Sequence, residues 1–317
     1  MREVSEAEYE EFSRSADPGF PGLGEEERIL SGLSTLRIFW ASGWVERRLV
    51  GLEEGGELRA VGRLLRVRVP FHQRGVWRVR ERAELQGLRG DPGAVARLAL
   101  RAEREAGLPL GVSSSRPEVW GALRRVGLLV YSRSATMEWP GEVPIEGNPE
   151  VEVSEGAPRS ALREIMRESW GFFIPPSPVH LVLVARLRGV PVGLCYLNPE
   201  TGNLDFGVHV RRRFWRMRVG TSLVRAALGE CGRRGLAMTV VRVVPITRVR
   251  ESDERALRFY SAVGAVLREE VRGFRRKRRG VSEAVPLPGW LYRAGDRGGG
   301  GQEGGAGQER EPGLHPI

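Results

Sequence analysis

The residues best suited to carry chemistry lie between positions 203 and 264. A strand-like segment at 203–210 contains Asp205 and His209, and a later helix-like segment contains Tyr260. A histidine or a carboxylate can accept a proton near neutral pH, and a tyrosine hydroxyl can donate one. If the fold brings these three side chains together, they supply a base and an acid for a proton-transfer reaction.

Side chains alternate between the two faces of a strand. This alternation places Asp205, Gly207 and His209 on one face and the apolar residues of 203–210 on the other. We expect the polar face to line a cleft, with His209 as the base or with Asp205 accepting a proton directly or through water. The alternative is that either residue is a structural polar group, buried and hydrogen-bonded.

The strand leads through an arginine-rich turn into a helix that opens at Gly220 and Thr221. The first N–H groups of a helix have no partner within the helix, and the helix dipole is positive at this end. Together they form a binding site for a phosphate group. The arginines around the turn either complement ligand phosphates or form a solvated basic turn. They are Arg211, Arg212, Arg213, Arg216 and Arg218.

The order of these pieces resembles the GNAT superfamily of acetyl-coenzyme A-dependent N-acetyltransferases. The family pattern is V-x-P-x-x-[RQ]-G-x-G-x-[GA], followed later by N-x-x-A-x-x-x-Y-x-x-x-G-F. The positions that match are Val210, Gly220, Ala256, Tyr260 and Gly264, and those that depart are Trp215, Arg218, Asp253 and Ala265. Arg218 stands where the family has a glycine, which allows positive φ and close approach of the backbone to a pyrophosphate. An arginine there is expected to hinder that approach.

The resemblance implies a mixed twisted sheet flanked by helices, with acetyl-coenzyme A as co-substrate, a primary amine as acceptor and no metal. The acceptor is either a small molecule or a protein, and its identity and the oligomeric state stay open. Tyr260 is expected to protonate the leaving thiolate. A backbone N–H between Phe206 and Val208 is expected to bind the thioester oxygen, where Gly207 suits a β-bulge. Cofactor contacts are expected at Val208, Val210, Trp215, Arg216, Arg218, Val219, Gly220, Thr221 and Asp253.

Two other functions are compatible with these residues. Tyr260 can be an aromatic side chain packed in the core, in which case the protein is a catalytically inactive acetyltransferase-like scaffold. Phe214 and Trp215 lie among the arginines, an arrangement that also fits a basic module on which nucleic-acid bases stack. Direct binding of acetyl-coenzyme A separates the enzyme from both.

Length and charge limit the remaining possibilities. A chain of 317 residues with 41% hydrophobic residues is expected to form two domains. The first 150 residues carry 22 arginines against 23 acidic residues, whereas residues 151–317 carry 28 basic residues against 17 acidic ones. The positive half would attract a polyanion such as coenzyme A or a nucleic acid.

The sequence predicts a cytoplasmic protein without a membrane span or a metal site. No apolar run approaches the ~18 residues of a membrane helix, and the acidic N-terminal residues do not fit a secretory signal. Only Cys195 and Cys231 are present, which is too few for a zinc ribbon or a disulfide framework.

The second half follows the pattern of an α/β unit. Apolar spacing and turn residues predict a helix at 157–170, a hairpin of strands at 180–186 and 190–197, a helix at 221–234, a strand at 237–244 parallel to the one at 203–210, and a helix at 252–262. The segment at 139–149, rich in Pro and Gly, predicts a boundary before this unit. The Gly-rich segment from 298 predicts a disordered tail.

The first half has a similar order of segments. Residues 55–62, 95–107 and 118–127 echo 188–193, 223–235 and 255–264, with Leu123 in the place of Tyr260 and Asp91, which would repel a pyrophosphate, at the matching turn. We therefore predict an α/β (α+β) fold with two GNAT-like domains, the first a degenerate, non-catalytic copy. The predicted limits are 1–140, a linker at 141–150, an acetyl-coenzyme A-binding domain at 151–275 and a basic, then Gly-rich tail at 276–317. Two unrelated α/β domains are the alternative.

Overall fold

The computed structural model describes residues 1–24, 26, 44–73, 76–141, 143–171, 173–176, 178–245, 251–276, 283–284, 286–287 and 290–291. The first half contains β1 (Arg2–Glu3), α1 (Glu6–Ala16), β2 (Trp44–Glu54), β3 (Glu57–Gln73), β4 (Val76–Gly90), α2 (Pro92–Ala106), β5 (Leu110–Ser114), α3 (Pro117–Arg125) and β6 (Leu128–Glu138). The second half contains β7 (Val151–Glu155), α4 (Arg159–Trp170), β8 (Leu181–Leu187), β9 (Val190–Leu197), β10 (Leu204–Val210), a 3₁₀ turn (Arg212–Phe214), α5 (Val219–Arg233), β11 (Thr239–Pro245), α6 (Glu251–Ala262) and β12 (Val266–Arg276).

The predicted mixed α/β fold, with twisted sheets flanked by helices, is confirmed. The described helices and strands follow the order β-α-β-β-β-α-β-α-β in both halves. The helices and strands expected in the second half are present, with ends that shift by a few positions. That the two halves are copies of one domain stays a prediction, which this shared order supports.

The strands form two sheets, and the larger sheet contains strands from both halves of the chain. The larger sheet has the order β1-β2-β3-β4-β5-β12-β6-β11, and the smaller one has the order β10-β9-β8-β7. Neighbouring strands are antiparallel except β4 and β5, which are parallel. The last strand of each half pairs with the other half, because β12 lies between β5 and β6 while β6 lies between β12 and β11.

This exchange joins the two halves through both backbone and core. Phe274 of β12 is fully buried in the apolar cluster that α2 and α3 form with the first half of the sheet. Conversely, Met137 and Trp139, from the end of the first half, are buried in the cluster that holds Leu223 of α5 and Leu257 of α6. The domain limits 1–140 and 151–275 stay a prediction, but each half supplies part of the other's sheet and core.

The separated halves are expected not to fold on their own. A fragment of residues 1–150 lacks β12, so the edges of β5 and β6 are left without their hydrogen-bonding partner. We expect fragments 1–150 and 151–317 to aggregate or to melt without cooperativity when produced singly, and to form a soluble one-to-one complex when produced together. Size-exclusion chromatography and circular dichroism melting measure this. A 1–150 fragment that is monomeric and melts cooperatively would show that the first half does not need β12 to fold.

Candidate functional site

A gap separates β10 from β11 in the second half. The two strands run parallel but belong to different sheets, and in the described chain their backbones bridge only at Asn203 and Thr239. The predicted parallel pairing of 203–210 with 237–244 is therefore limited to this vertex. The corresponding strands of the first half, β4 and β5, stay paired over Ala83–Leu85 and Leu110–Val112. The wider gap is a property of the second half.

The predicted β-bulge lies at the edge of this gap. Along β10 the register with β9 shifts between Asp205 and Val208, which leaves Phe206 and Gly207 as extra residues with φ of 66° and 78°. A Cβ added to Gly207 would lie 2.3 Å from the Tyr260 hydroxyl oxygen, so glycine is required there. Positive φ is unusual for an aromatic residue such as Phe206 and costs roughly 1–3 kcal/mol. Strain of this kind is concentrated at functional sites.

The bulge brings two of the predicted site groups into contact. The backbone N–H of Val208 donates a hydrogen bond to the Tyr260 hydroxyl oxygen at 3.0 Å. Tyr260 is buried in the core, where its ring meets the edge of Trp139 at a centroid distance of 5.9 Å. Burial raises the pKa of the Tyr260 hydroxyl, and the nearby positive charge of Arg242 opposes that rise. The phenol thus stays protonated at neutral pH and faces the bulge.

Arg242 is a site residue that the sequence analysis did not identify. It extends from β11, and its Nη1 lies 3.8 Å from the position that a Gly207 Cβ would occupy. Its charge opposes the rise in the pKa of Tyr260 and helps to lower the pKa of His209. The available signal was a single arginine within the β-branched run Thr239–Val244, because a charge inside an otherwise apolar strand needs a specific partner or task.

Asp205 and His209 do not line the gap. They share one face of β10, as alternation predicts, but both side chains point towards α4 and the loop after it. His209 is buried, its Nδ1 lies 2.7 Å from the Ser169 hydroxyl, and its ring packs on Trp170 at 5.2 Å. Burial, followed by the charge of Arg242, lowers the pKa of His209 to about 3. A group with so low a pKa is a weak base at neutral pH.

The Asp205 carboxylate is almost fully buried and both of its oxygens are engaged. Its Oδ2 lies 2.9 Å from His180 Nε2, and its Oδ1 accepts a hydrogen bond from Asn203 at 2.6 Å. Burial raises the pKa of Asp205, and the contact with His180 is the main effect that opposes the rise. Asp205 and His209 are therefore buried against α4 and its loop, whereas Gly207 faces Tyr260 and Arg242. The identity of the base stays a prediction.

The phosphate site is expected at the turn between β10 and α5. Arg218 is the N-cap of α5, with φ of 54°, and its side chain makes no capping hydrogen bond. The first N–H groups of α5 are thus left for a ligand. In the first half, by contrast, the Asp91 carboxylate caps α2 by accepting a hydrogen bond from Ala94 N–H at 2.8 Å. A carboxylate already occupies the position that an anionic ligand would take.

The departure from glycine at position 218 changes the turn less than expected. Arg218 adopts the left-handed conformation itself, at a cost of about 1–2 kcal/mol for a residue with a side chain. Its side chain is 63% exposed and lies 3.6 Å from Glu146. Arg216 also has positive φ and is exposed. The backbone shape that a glycine would allow is therefore retained, with both side chains directed to solvent.

The other residues of the turn are partly committed to the protein. Arg211 donates to Glu168 of α4 at 2.8 Å. The indole N–H of Trp215 donates to the Val210 carbonyl at 2.9 Å, and the Arg255 guanidinium lies 4.3 Å above the Trp215 ring. Val219, Gly220 and Thr221 form the first turn of α5 as expected. Asp253 lies in the first turn of α6, and its side chain is outside the described part of the structure.

Two features are absent from the described residues. No helix in this part of the chain is long and apolar enough to cross a membrane. Among the same residues, no group of three or more His, Cys, Asp or Glu side chains is placed to hold a metal ion.

Comparison with known proteins agrees with this geometry. Residues 146–265 match the sequence model of the Acetyltransferase (GNAT) family. The structure is similar to a GCN5-related N-acetyltransferase from Kribbella flavida, with TM-score 0.51 and 18% identity over 82% of this chain and 97% of that one. It is also similar to a GCN5-related N-acetyltransferase from Sphaerobacter thermophilus, with TM-score 0.53 and 18% identity over 89% and 96% of the two chains. No curated protein matches the sequence significantly.

At this level of identity the structural matches establish the fold. Each covers more than four fifths of the chain, so the likeness extends over both halves. The family model, in contrast, begins and ends within the second half. The chain therefore has the fold of the GCN5-related N-acetyltransferases, and the half that matches the family model is the one with the gap, the bulge and the uncapped helix.

The buried histidine predicts how stability depends on pH. Folding lowers the pKa of His209 from 6.5 to about 3, so between these values the unfolded chain binds a proton that the folded chain does not. The contribution of His209 to the free energy of unfolding is complete above the pKa that this residue has in the unfolded chain. It is lost as the pH falls from that value towards the folded-state pKa, by at most ~1.4 kcal/mol per pH unit.

His209→Gln should remove this part of the pH dependence. Denaturant unfolding at pH 7 and pH 5 measures it, because few carboxylates titrate in that interval. We expect the loss of unfolding free energy between the two pH values to be smaller in the variant than in the parent protein. An equal loss in both proteins would show that His209 is not held in the neutral form.

Proposed function

We propose that this protein is an acetyl-coenzyme A-dependent N-acetyltransferase that acts in the gap between β10 and β11, with a primary amine as acceptor. The observation that carries the proposal is the hydrogen bond from the Val208 N–H to the Tyr260 hydroxyl. It places side by side the two groups that thioester aminolysis needs near the leaving group. One is a donor to the developing oxyanion, and the other is an acid for the departing thiolate.

The turn before α5 is the proposed binding site for the phosphates of the cofactor. The N-terminus of α5 has no side-chain cap, and Arg216 and Arg218 are exposed beside it. Helix N–H groups and two exposed guanidinium groups suit a pyrophosphate. Val208 and Val210, on the same strand as the bulge, lead from this turn towards Tyr260. Acetyl-coenzyme A supplies the activated acetyl group as a thioester.

The reaction follows from the groups at the bulge. The acceptor amine attacks the thioester carbonyl, a C–N bond forms, and the oxygen takes the negative charge. The Val208 N–H, which donates to Tyr260 in this structure, is then available to the oxyanion. As the C–S bond breaks, Tyr260 donates its proton to the thiolate. The raised pKa of Tyr260 keeps this proton in place until it is needed.

Arg242 is proposed to assist by its charge. It lies beside the bulge and next to Tyr260, so it favours the negative charge that develops on the oxyanion and on the phenol oxygen. The amine loses its proton to a base, for which Asp205 and His209 are the sequence-predicted candidates. Both are buried and already hydrogen-bonded, so neither contacts the gap directly.

The first half is proposed to be non-catalytic. Leu123, which matches Tyr260, is fully buried in the apolar cluster, and Asp91 blocks the end of α2. Its contribution is structural, because β6 pairs with β11 and so holds the strand that carries Arg242 beside the bulge. This role explains why both halves are needed for one site.

Titration of the full chain with coenzyme A tests the cofactor assignment. We expect a dissociation constant within the ~1 μM–1 mM range usual for enzyme substrates. Arg216→Ala and Arg218→Ala should weaken binding and reduce its dependence on ionic strength. Arg234→Ala, at the opposite end of α5, is the matched control. Two results together would contradict the enzyme assignment. If millimolar coenzyme A produced neither a thermal shift nor heat of binding, while a fluorescent oligonucleotide bound at physiological salt, the protein would be a nucleic-acid-binding module.

Tyr260→Phe tests the acid. General acid catalysis contributes about 10²–10⁴-fold, so kcat should fall by that factor while coenzyme A affinity is preserved. Stability should fall by about 1 kcal/mol, because the Val208 N–H loses its acceptor. Thiol release from acetyl-coenzyme A with a panel of amines measures turnover. Full activity in the variant would show that Tyr260 serves packing alone. Coenzyme A binding without turnover of any amine by the parent protein would favour an inactive scaffold.

A further inference from the structure

Four buried polar side chains form a continuous hydrogen-bonded chain at the vertex of the gap. His180 Nε2 lies 2.9 Å from Asp205 Oδ2, and Asn203 donates to Asp205 Oδ1 at 2.6 Å. The Thr239 hydroxyl donates to Asn203 Oδ1 at 3.2 Å. We name these residues, His180, Asp205, Asn203 and Thr239, the vertex network. All four side chains are almost fully shielded from solvent.

One end of the vertex network coincides with the point where β10 and β11 separate. Asn203 and Thr239 form the backbone bridge between the two strands, and the Thr239 N–H donates to the Gly202 carbonyl at 3.0 Å. The side-chain bond between Asn203 and Thr239 doubles this backbone contact. The distance between the strands at the vertex is therefore fixed by both backbone and side chains, and the width of the gap beyond it depends on that distance.

The other end of the vertex network holds the loop that follows α4. His180 is the last residue of this loop before β8, and its ring stacks on Tyr196 at 5.3 Å with an interplanar angle of 23°. The Tyr196 hydroxyl in turn donates to the carbonyl of Ile174, in the same loop, at 3.0 Å. The loop is thus attached to the small sheet at two points, one of which is Asp205.

Asp205 connects the two ends and directly precedes the bulge. A shift of its carboxylate would move Phe206 and Gly207, and with them the Val208 N–H that contacts Tyr260. The Asp205 side chain is almost fully buried, and each of its oxygens lies within hydrogen-bond distance of a buried side chain of the vertex network. A general base must lie within hydrogen-bond reach of the proton it removes. Asp205 meets the geometry of a positioning residue and not that of a base.

We propose that the vertex network positions the reactive groups by setting the opening of the gap and by linking it to the loop at 171–180. The inference rests on the proposed function for its kinetic consequences. A buried polar network has few acceptable arrangements, because each displaced donor or acceptor is left without a partner. It therefore fixes the vertex in a discrete geometry. The Asn203–Thr239 end sets the separation of β10 and β11, and the His180 end holds the loop against the small sheet, so we expect the two ends to affect cofactor and acceptor binding differently.

Thr239→Val tests the first end. It removes one hydroxyl at nearly constant volume and leaves Asn203 Oδ1 without its donor. We expect faster amide hydrogen exchange in the peptide 203–210 and weaker coenzyme A binding. We also expect kcat to fall roughly 10- to 100-fold, because a small misalignment of the reacting groups slows the reaction by such factors. Thr136→Val, at a similarly buried threonine of β6 outside the vertex network, is the control and should leave all three unchanged.

His180→Phe tests the second end. The phenyl ring keeps the stacking on Tyr196 but cannot hydrogen-bond to Asp205. We expect a higher KM for the amine, with coenzyme A affinity close to that of the parent protein. Asp205→Asn should lower kcat without removing the acidic limb of the pH–rate profile. Loss of that limb in Asp205→Asn, with normal kinetics in His180→Phe, would make Asp205 the base and overturn the proposal.

The amide hydrogen exchange measurement tests this inference separately from the proposed function. If the parent protein neither binds coenzyme A nor turns over, the N-acetyltransferase assignment fails, yet Thr239→Val must still accelerate exchange in 203–210 relative to Thr136→Val. Unchanged exchange and unchanged kinetics in Thr239→Val and His180→Phe, with only a lower melting temperature, would reduce the vertex network to ordinary core packing.

Discussion

A backbone N–H that leaves a sheet must find another partner, and the site depends on how this requirement is met at Val208. In a continuous sheet the groups on the free side of β10 would pair with β11. Here the strands separate after one bridge, and the Val208 N–H donates to the side chain of Tyr260 instead. The bulge, the glycine at position 207 and the buried phenol all follow from that contact. A side-chain partner can exchange with a ligand oxygen more readily than a strand can, which makes the contact suitable for catalysis.

The strand on the far side of the gap, β11, is held in place by the first half of the chain. β6, from the first half of the chain, pairs with β11 over its whole length, and β12 returns to complete the sheet between β5 and β6. This pairing uses the edge of β11 that faces away from β10, and it fixes the strand that carries Arg242. The first half therefore contributes to the site without a catalytic side chain of its own. Its own pair, β4 and β5, remains closed and its helix end is capped by Asp91.

Charge is arranged to match this division. The excess of basic residues lies in the second half, where exposed arginines surround the uncapped end of α5. Arg242 places a further positive charge beside the bulge, where it opposes the rise in the pKa of Tyr260 and helps to lower the pKa of His209. One field thus serves two purposes, because it attracts a polyanionic ligand at the turn and favours negative charge at the proposed reacting centre.

The sequence by itself determined the local features. The order of helices and strands, the bulge at Gly207, the phosphate-type turn before α5 and the spacing from that turn to Tyr260 follow from residues that are close along the chain. Such features are set by periodicity, turn chemistry and backbone freedom, each of which acts over a few positions.

Only the tertiary structure decided which strands pair and which side chains face the gap. The exchange of β6 and β12 and the insertion of Arg242 beside Gly207 join residues far apart in sequence, and no local pattern encodes such pairing. Asp205 and His209 share one face of β10, as simple alternation predicts, but the fold buries that face against α4 and its loop. Their burial in turn sets their pKa values, because desolvation by distant segments is the largest cause of both shifts.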